Sequence, residues 1–187
     1  MESAQHASLE TLHGEPVHLL GVGVSGNLHG VLLEATVTQR FVNPGDEPVE
    51  LAYTFPLPWG AVLLGVDVLL GEKQLTGLVV EKKQAEASYE EALSDGDAAI
   101  LLERNHDHSY SLNLGNLGAG EKCSITLRYA QALRLEQGGL RLLIPTVLAP
   151  RYGHPQNDGG LLPHQVPEHD LSVEHPFTLE LRLHGGL

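Results

Sequence analysis

The sequence predicts a mainly β protein: an antiparallel β-sandwich with one α-helix, at about residues 81–95, packed on it. Apolar and polar residues alternate with period two through much of the chain, most clearly between Cys123 and Tyr129. Only residues 81–95 have helical spacing, with Tyr89 and Ala92 on one apolar stripe. Because strands and helices do not alternate, the pattern argues against a parallel α/β sheet and favours a sandwich or barrel.

The composition is that of one globular domain and excludes several classes of partner. The chain has 187 residues, with 24 acidic and 11 basic side chains and a net charge of −13. This charge argues against binding to nucleic acid or anionic membranes. No apolar run approaches 18 residues, and the first residues do not resemble a signal peptide, so we expect a soluble protein, cytoplasmic by default, without membrane insertion.

The chain is divided by turn signals into short apolar runs. Residues 1–14 are polar and uneven and are predicted to be a mobile arm, whereas residues 43–46 (NPGD) are typical of a turn. Residues 145–176 form a long connection rich in proline and histidine, which in a compact domain is usually functional or mobile. The predicted strands cover residues 16–24, 28–42, 49–55, 62–70, 75–80, 98–102, 109–114, 122–129, 140–144 and 177–183.

Residues 21–26 (GVGVSG) match the dinucleotide-binding pattern G-x-G-x-x-G. That site requires a helix to begin directly after the glycines, so that its amino terminus can hold the pyrophosphate. The next segment here alternates as a strand. The motif is therefore interpreted as a glycine-rich strand end or bulge.

A metal-dependent hydrolase is the alternative function that the residues leave open. His106 and His108 lie two residues apart and would project from one face of a strand, a spacing found in zinc sites, but a third ligand is not fixed by the sequence. An exposed polar strand start is favoured for them. The sequence contains no G-x-S-x-G, H-E-x-x-H or P-loop motif, and Cys123 falls on an apolar strand face, so no catalytic residue and no cofactor are predicted.

An ordered set of short motifs resembles the VIT (vault protein inter-alpha-trypsin) domain. The set covers about residues 15–155 and keeps the family's order and spacing; Ala119 stands where the family usually has proline. In chain order the motifs are residues 37–44 (VTQRFVNP), 53–58 (YTFPLP), 87–92 (ASYEEA), 99–103 (AILLE), 112–116 (LNLGN), 118–121 (GAGE), 127–129 (LRY), 144–146 (IPT) and 149–153 (APRYG).

The resemblance implies a non-catalytic module for protein interaction or scaffolding. Residues 15–155 would be the VIT domain, and residues 156–187 would be a loop and a closing strand leading to a following domain. Similar proteins carry a von Willebrand factor type A domain there, so a partner in cis is expected, with any metal site beyond Leu187. A bacterial or intracellular member is expected. The candidate partner-binding residues are Glu90, Glu91 and Asp95 at the acidic helix end, Trp59, and Arg151 and Tyr152 in the long connection.

The 11 histidines leave a third reading open, a pH-responsive adhesion surface. Imidazoles change charge between about pH 5 and 8, so full protonation would bring the net charge close to neutrality. Surface and loop histidines without a role are the favoured interpretation.

Overall fold

The computed structural model describes residues 8–11, 17–77, 101–104, 109–144 and 175–185. These residues are mainly β-strand, which confirms the predicted fold class. The helix predicted at about residues 81–95 lies outside the described residues. No helix among the described residues is long and apolar enough to cross a membrane.

Twelve strands lie in the described residues. They are β1 Ser8–Thr11, β2 His18–His29, β3 Leu32–Val42, β4 Val49–Pro56, β5 Val62–Leu70, β6 Lys73–Gly77, β7 Leu101–Arg104, β8 Ser109–Leu117, β9 Lys122–Ala132, β10 Leu135–Glu136, β11 Gly139–Leu140 and β12 Phe177–His184.

The strands form two main sheets and a short ribbon. The larger sheet has the order β12-β2-β3-β9-β5-β6, the smaller has the order β1-β4-β8-β7, and β10 pairs with β11. Every pair is antiparallel except β12–β2, which is parallel. The parallel pair departs from the predicted antiparallel arrangement. It is possible because a long connection precedes β12 and lets the chain re-enter the sheet in the direction of β2.

The core lies between the two main sheets and follows from the period-two alternation. Tyr53 and Leu112 of the smaller sheet pack in one cluster with Val66 and Ile125 of the larger sheet, and all four are at most 1% exposed. Cys123 belongs to the same cluster, which confirms the prediction that it is a buried hydrophobic residue. The alternation thus assigns each strand's inner and outer faces correctly in this region.

The strand predicted at residues 28–42 is confirmed over Leu32–Val42 but begins too early, because β2 and β3 are joined by a two-residue loop, Gly30–Val31. Gly30 has a φ of 58°, as the first position of a type II′ hairpin turn requires. The hairpin predicted from residues 62–70 and 75–80 is confirmed between β5 and β6, its loop being Gly71–Glu72. Residues 78–80 lie outside the described part of the chain.

The glycine-rich motif lies inside β2, and the register of β2 against β3 shifts between Leu19 and Gly21, as in a β-bulge. The interpretation as strand is therefore confirmed. Within the predicted mobile arm, Ser8–Thr11 instead form β1, which pairs with β4 from Thr54 to Leu51. An edge strand can pair with a polar segment through backbone hydrogen bonds alone. Hydropathy therefore does not predict β1.

Candidate interaction site

The last described strand, β12, carries a row of exposed apolar side chains. Phe177, Leu179, Leu181 and Leu183 are 50%, 54%, 38% and 68% exposed. In the parallel register they lie beside Val22, Val24, Gly26 and Leu28 of β2. Paired residues of neighbouring strands project to the same face of a sheet, and Val22 and Val24 are buried. The row, called the β12 apolar row from here on, therefore lies on the core side of the larger sheet.

The β12 apolar row lies at the end of the larger sheet, and no described residue of the smaller sheet shares a buried cluster with it. Within the described residues, the two buried clusters contain residues from β3, β5 and β9 but none from β12. Leu140 and Leu142 pack against the second cluster, and no described residue of β12 does so. A continuous apolar row on the core side of a sheet is therefore left uncovered by the described residues.

The position of β12 is well defined despite its exposure. All eight of its residues are paired with β2, and the Val22 N–H donates to the Pro176 carbonyl over 2.9 Å. Leu181 lies directly above Gly26, where a Cβ would come within 3.1 Å of the Leu181 Cδ1. At the end of the strand the rings of His29 and His184 stack with their centroids 4.2 Å apart. The apolar row is thus presented by a strand that is held in place.

The outer face of β12 is polar and carries both signs of charge. The Arg182 guanidinium lies 2.6 Å from the Glu180 carboxylate, and both side chains are more than 60% exposed. His184 Nε2 lies 3.2 Å from Asn27 Oδ1. The two faces of β12 can therefore make different kinds of contact, apolar on the core side and electrostatic on the outer side.

Trp59 is the one predicted partner-binding residue that the structure describes. It lies in the turn between β4 and β5 and is 66% exposed, and its carbonyl oxygen accepts a hydrogen bond of 3.0 Å from Gln131 Nε2. An exposed tryptophan is a common interface anchor, and its role here stays a prediction. The other candidates, Glu90, Glu91, Asp95, Arg151 and Tyr152, lie outside the described residues.

His106 and His108 also lie outside the described residues, so the zinc hypothesis stays a prediction. Among the residues that are described, no group of three or more His, Cys, Asp or Glu side chains is placed to hold a metal ion. Burial raises the pKa of the Cys123 thiol to about 12, with a further contribution from the charge of Glu121. The thiol is therefore protonated and buried, which is unlike a nucleophile.

Sequence reasoning did not single out the β12 apolar row as a site. The alternation from Phe177 to Leu183 predicts a strand with one apolar face, and the same alternation in β9 produces a buried face. Periodicity shows which residues share a face but not what covers that face. Only the strand order identifies β12 as the edge of the larger sheet within the described part of the chain.

The comparisons with known proteins give one matching family model and several relatives. The model of the vault protein inter-alpha-trypsin domain family matches residues 19–129. The chain is 36% identical over 147 residues to human von Willebrand factor A domain-containing protein 5A, covering 77% of this chain and 19% of that protein. The mouse protein of the same name is 34% identical over 181 residues, covering 94% of this chain and 23% of that protein.

A more distant relative has a different description. Mouse protein mono-ADP-ribosyltransferase PARP4 is 28% identical over 144 residues, which cover 77% of this chain and 7% of that protein. The chain therefore spans less than a quarter of the length of each of these relatives. They come from mammals, and others come from Dictyostelium discoideum, so the expectation of a bacterial member gains no support.

Proposed function

Because this chain belongs to the vault protein inter-alpha-trypsin (VIT) domain family, we propose that it is a non-catalytic interaction module that positions a following von Willebrand factor A-type domain. The names of the 5A relatives support this proposal, since each is described as containing a von Willebrand factor A domain. This chain spans between 18% and 23% of their length, which leaves room for such a domain. The name of PARP4 describes an enzyme, but the match with this chain covers only 7% of that protein.

The β12 apolar row is the observation that carries the proposal. A row of four large apolar side chains, each between 38% and 68% exposed, is typical of a surface that another protein covers. Complete burial of one such side chain contributes roughly 1.5–3 kcal/mol, so completing the burial of the row is enough to hold two domains in a defined orientation. The proposal assigns the covering surface to the A-type domain.

The position of β12 in the fold suits this role. It is the last described strand, and all eight of its residues pair with β2, which is itself paired along its length with β3. A domain packed on β12 would therefore be coupled to the whole sheet rather than to a flexible linker. Interfaces between domains of one chain are often small, and a rigid apolar strip restricts their relative motion.

The proposal is tested by measuring the affinity of this chain for the A-type domain of the same full-length protein, supplied as a separate polypeptide in a calorimetric titration. Leu179→Asp and Leu183→Asp should each weaken binding by about tenfold or more, because each places a charge in the apolar contact. Leu69→Asp is the matched control. Leu69 is 46% exposed on the opposite face of the same sheet, so its substitution should leave the affinity unchanged.

Two results would contradict the proposal. One is unchanged affinity in the Leu179→Asp and Leu183→Asp variants while both remain folded. The other is an equal loss of affinity in the Leu69→Asp control, because a general effect on folding would then explain the data.

A further inference from the structure

We propose that the open edge of β12 binds β12 of a second copy of this chain, antiparallel and in a register centred on Leu181. The inference goes beyond the proposed function and does not rest on it. Its register and its test depend on the strand edge and on the charges of the outer face of β12, whereas docking of an A-type domain depends on the β12 apolar row on the other face. The partner is therefore identified as an identical strand.

Among the described strands, none pairs with the edge of β12 that faces away from β2. β12 is the terminal strand of the larger sheet, and β2 is its only neighbour in that sheet among the described strands. The Val22 N–H of β2 donates to the Pro176 carbonyl just before β12. In a parallel ladder, the backbone N–H and C=O groups of the even-numbered β12 residues therefore point toward β2. The N–H and C=O groups of Phe177, Leu179, Leu181 and Leu183 then point outward. An edge of this kind is a template for another strand.

This hydrogen-bond pattern restricts the possible antiparallel registers. Residues with outward-pointing backbone groups must lie opposite each other to exchange hydrogen bonds. In the register centred on Leu181, that residue lies opposite its own copy, and Leu179 lies opposite the second copy's Leu183. The two leucine pairs and the central pair would all lie on the core side of the joined sheets, where each partly shields the other from water.

The charges of β12 select this register. When Leu181 is central, Glu180 lies opposite the second copy's Arg182, and Arg182 opposite the second copy's Glu180. These are non-hydrogen-bonded positions, at which opposite Cα atoms are only about 4.5 Å apart and side chains interact closely. The two neighbouring registers of the same parity place Glu180 opposite Glu180 or Arg182 opposite Arg182, and like charges in opposite positions are destabilising.

The two charged side chains are available for this contact. Their mutual ion pair is solvent-exposed, with 65% and 63% of the side chains accessible, and such pairs contribute little to stability. Neighbouring outer-face positions on β2 are Ser25 and Asn27, which are small and uncharged. Association would therefore add cross-strand charge pairs without removing a strong interaction within the chain.

Sedimentation velocity of the purified 187-residue chain over a range of concentrations tests the inference. The unsubstituted chain should show a reversible monomer–dimer equilibrium. Glu180→Arg alone makes both charged positions basic, and Arg182→Glu alone makes both acidic. Each variant should dimerise at least about tenfold more weakly, because two attractive cross-strand pairs become repulsive.

Two rescue samples make the test specific for β12. An equimolar mixture of Glu180→Arg and Arg182→Glu chains should form a heterodimer, because each basic strand then meets an acidic one. The double variant Glu180→Arg/Arg182→Glu should regain self-association, because the swap restores opposite charges in the same register. Glu34→Arg, an exposed charge reversal on the outer face of β3, is the control and should leave the dimer constant unchanged.

The inference is overturned if the unsubstituted chain stays monomeric at all concentrations. It is equally overturned if both single variants associate as tightly as the unsubstituted chain, or if the mixture associates no more than its separate components. None of these results bears on docking of an A-type domain, since Glu180 and Arg182 lie on the face opposite to the apolar row. The calorimetric test of domain docking with Leu179→Asp therefore has an outcome that is independent of the sedimentation test.

Discussion

Two buried tyrosines show how the same residue type differs in its contribution to stability. The Tyr53 hydroxyl donates a hydrogen bond to Gln39 Oε1, which joins β4 of the smaller sheet to β3 of the larger sheet. The Tyr129 hydroxyl is also buried but has no hydrogen-bond partner among the described residues. Burial raises the pKa of both groups, that of Tyr129 to about 12, so both hydroxyls are neutral in the folded protein.

We predict that Tyr53→Phe destabilises the protein by about 1–3 kcal/mol, because it leaves the buried Gln39 amide oxygen without its donor. Tyr129→Phe should be neutral or stabilising, because it removes a polar atom that lacks a partner. Urea unfolding of the two variants measures both free energies. A larger loss for Tyr129→Phe than for Tyr53→Phe would contradict the prediction.

The Cys123 thiol predicts how stability depends on alkaline pH. Its pKa rises from the ordinary 9.0 to about 12 in the fold, so the folded state retains a proton that the unfolded chain releases. This contribution to stability is complete below about pH 9 and is lost as the pH rises from 9 toward 12. Tyr129, whose pKa rises from 10.0, adds a similar loss that begins about one pH unit higher.

We therefore predict that the unfolding free energy falls above pH 9 and that Cys123→Ala delays this fall until near pH 10. Chemical unfolding at a series of pH values measures both curves. The comparison uses the slope with pH, since alanine also lowers stability at every pH by leaving a small cavity. Parallel curves for the two proteins between pH 9 and 10 would show that Cys123 does not titrate as expected.

At the scale of the elements, two hairpin turns that use glycine in the same way differ in their surroundings. Gly30, between β2 and β3, and Gly71, between β5 and β6, both have a φ of 58°. A Cβ at Gly30 would meet nothing within 4 Å, whereas a Cβ at Gly71 would overlap the Glu121 carboxylate. That carboxylate is held in place because its Oε2 accepts a 2.7 Å hydrogen bond from the Gly118 N–H.

We predict that Gly30→Ala costs about 1–3 kcal/mol from backbone strain alone and that Gly71→Ala costs clearly more. In a Glu121→Ala background the cost of Gly71→Ala should fall toward that of Gly30→Ala, because the overlapping carboxylate is gone. Thermal unfolding of the single and double variants gives the coupling between the two positions. Additive effects of Gly71→Ala and Glu121→Ala would contradict the proposed overlap.

At the scale of the whole molecule, β12 belongs to the sheet but not to the buried core. Its side chains are all exposed, and neither described cluster includes one of them. The strand is held by backbone pairing with β2, by Leu181 on Gly26 and by the stacked pair of His29 and His184. The sandwich should therefore form a cooperative core without it.

We predict that a chain ending at residue 174, which lacks β12, still unfolds in one cooperative transition at a lower Tm, because the core between the two sheets is unchanged. Calorimetry measures the transition, and near-ultraviolet circular dichroism measures the packing of Tyr53 and Phe55, whose rings stack 5.3 Å apart. The same truncated chain should not dimerise. Loss of a cooperative transition would show that β12 is required for the core.

Much of the fold could be predicted because one face of most strands is buried. Residues from Cys123 to Tyr129 alternate between inner and outer faces as their polarity indicates, and the β5–β6 hairpin follows from glycine between two apolar runs. The sequence does not predict the break between β2 and β3, because Gly30–Val31 carries no polar turn signal. The sequence does not predict the parallel pairing of β12 with β2, because strand direction is a property of the tertiary structure and not of the strand's own residues.

Buried polar contacts are also features that the sequence does not predict. The Asn43 side chain donates hydrogen bonds to the carbonyls of Glu47, Leu117 and Gly118, at 2.8 Å, 3.2 Å and 3.1 Å, and accepts one from the Gly45 N–H. The sequence of residues 43–46 predicts a turn. It does not predict that this turn is hydrogen-bonded to the turn between β8 and β9. Contacts between segments 74 residues apart follow only from the tertiary structure.

The amino-acid order is enough to predict the family, the mainly β class and the apolar face of nearly every strand, because these depend on local order and on the period of the side chains. It could not distinguish the apolar face of β9 from that of β12, since both alternate alike. In the folded chain β9 lies inside the sandwich, whereas β12 lies at an edge that the described residues leave uncovered. Burial depends on which strands are neighbours, and that is a property of the whole sheet rather than of any one strand.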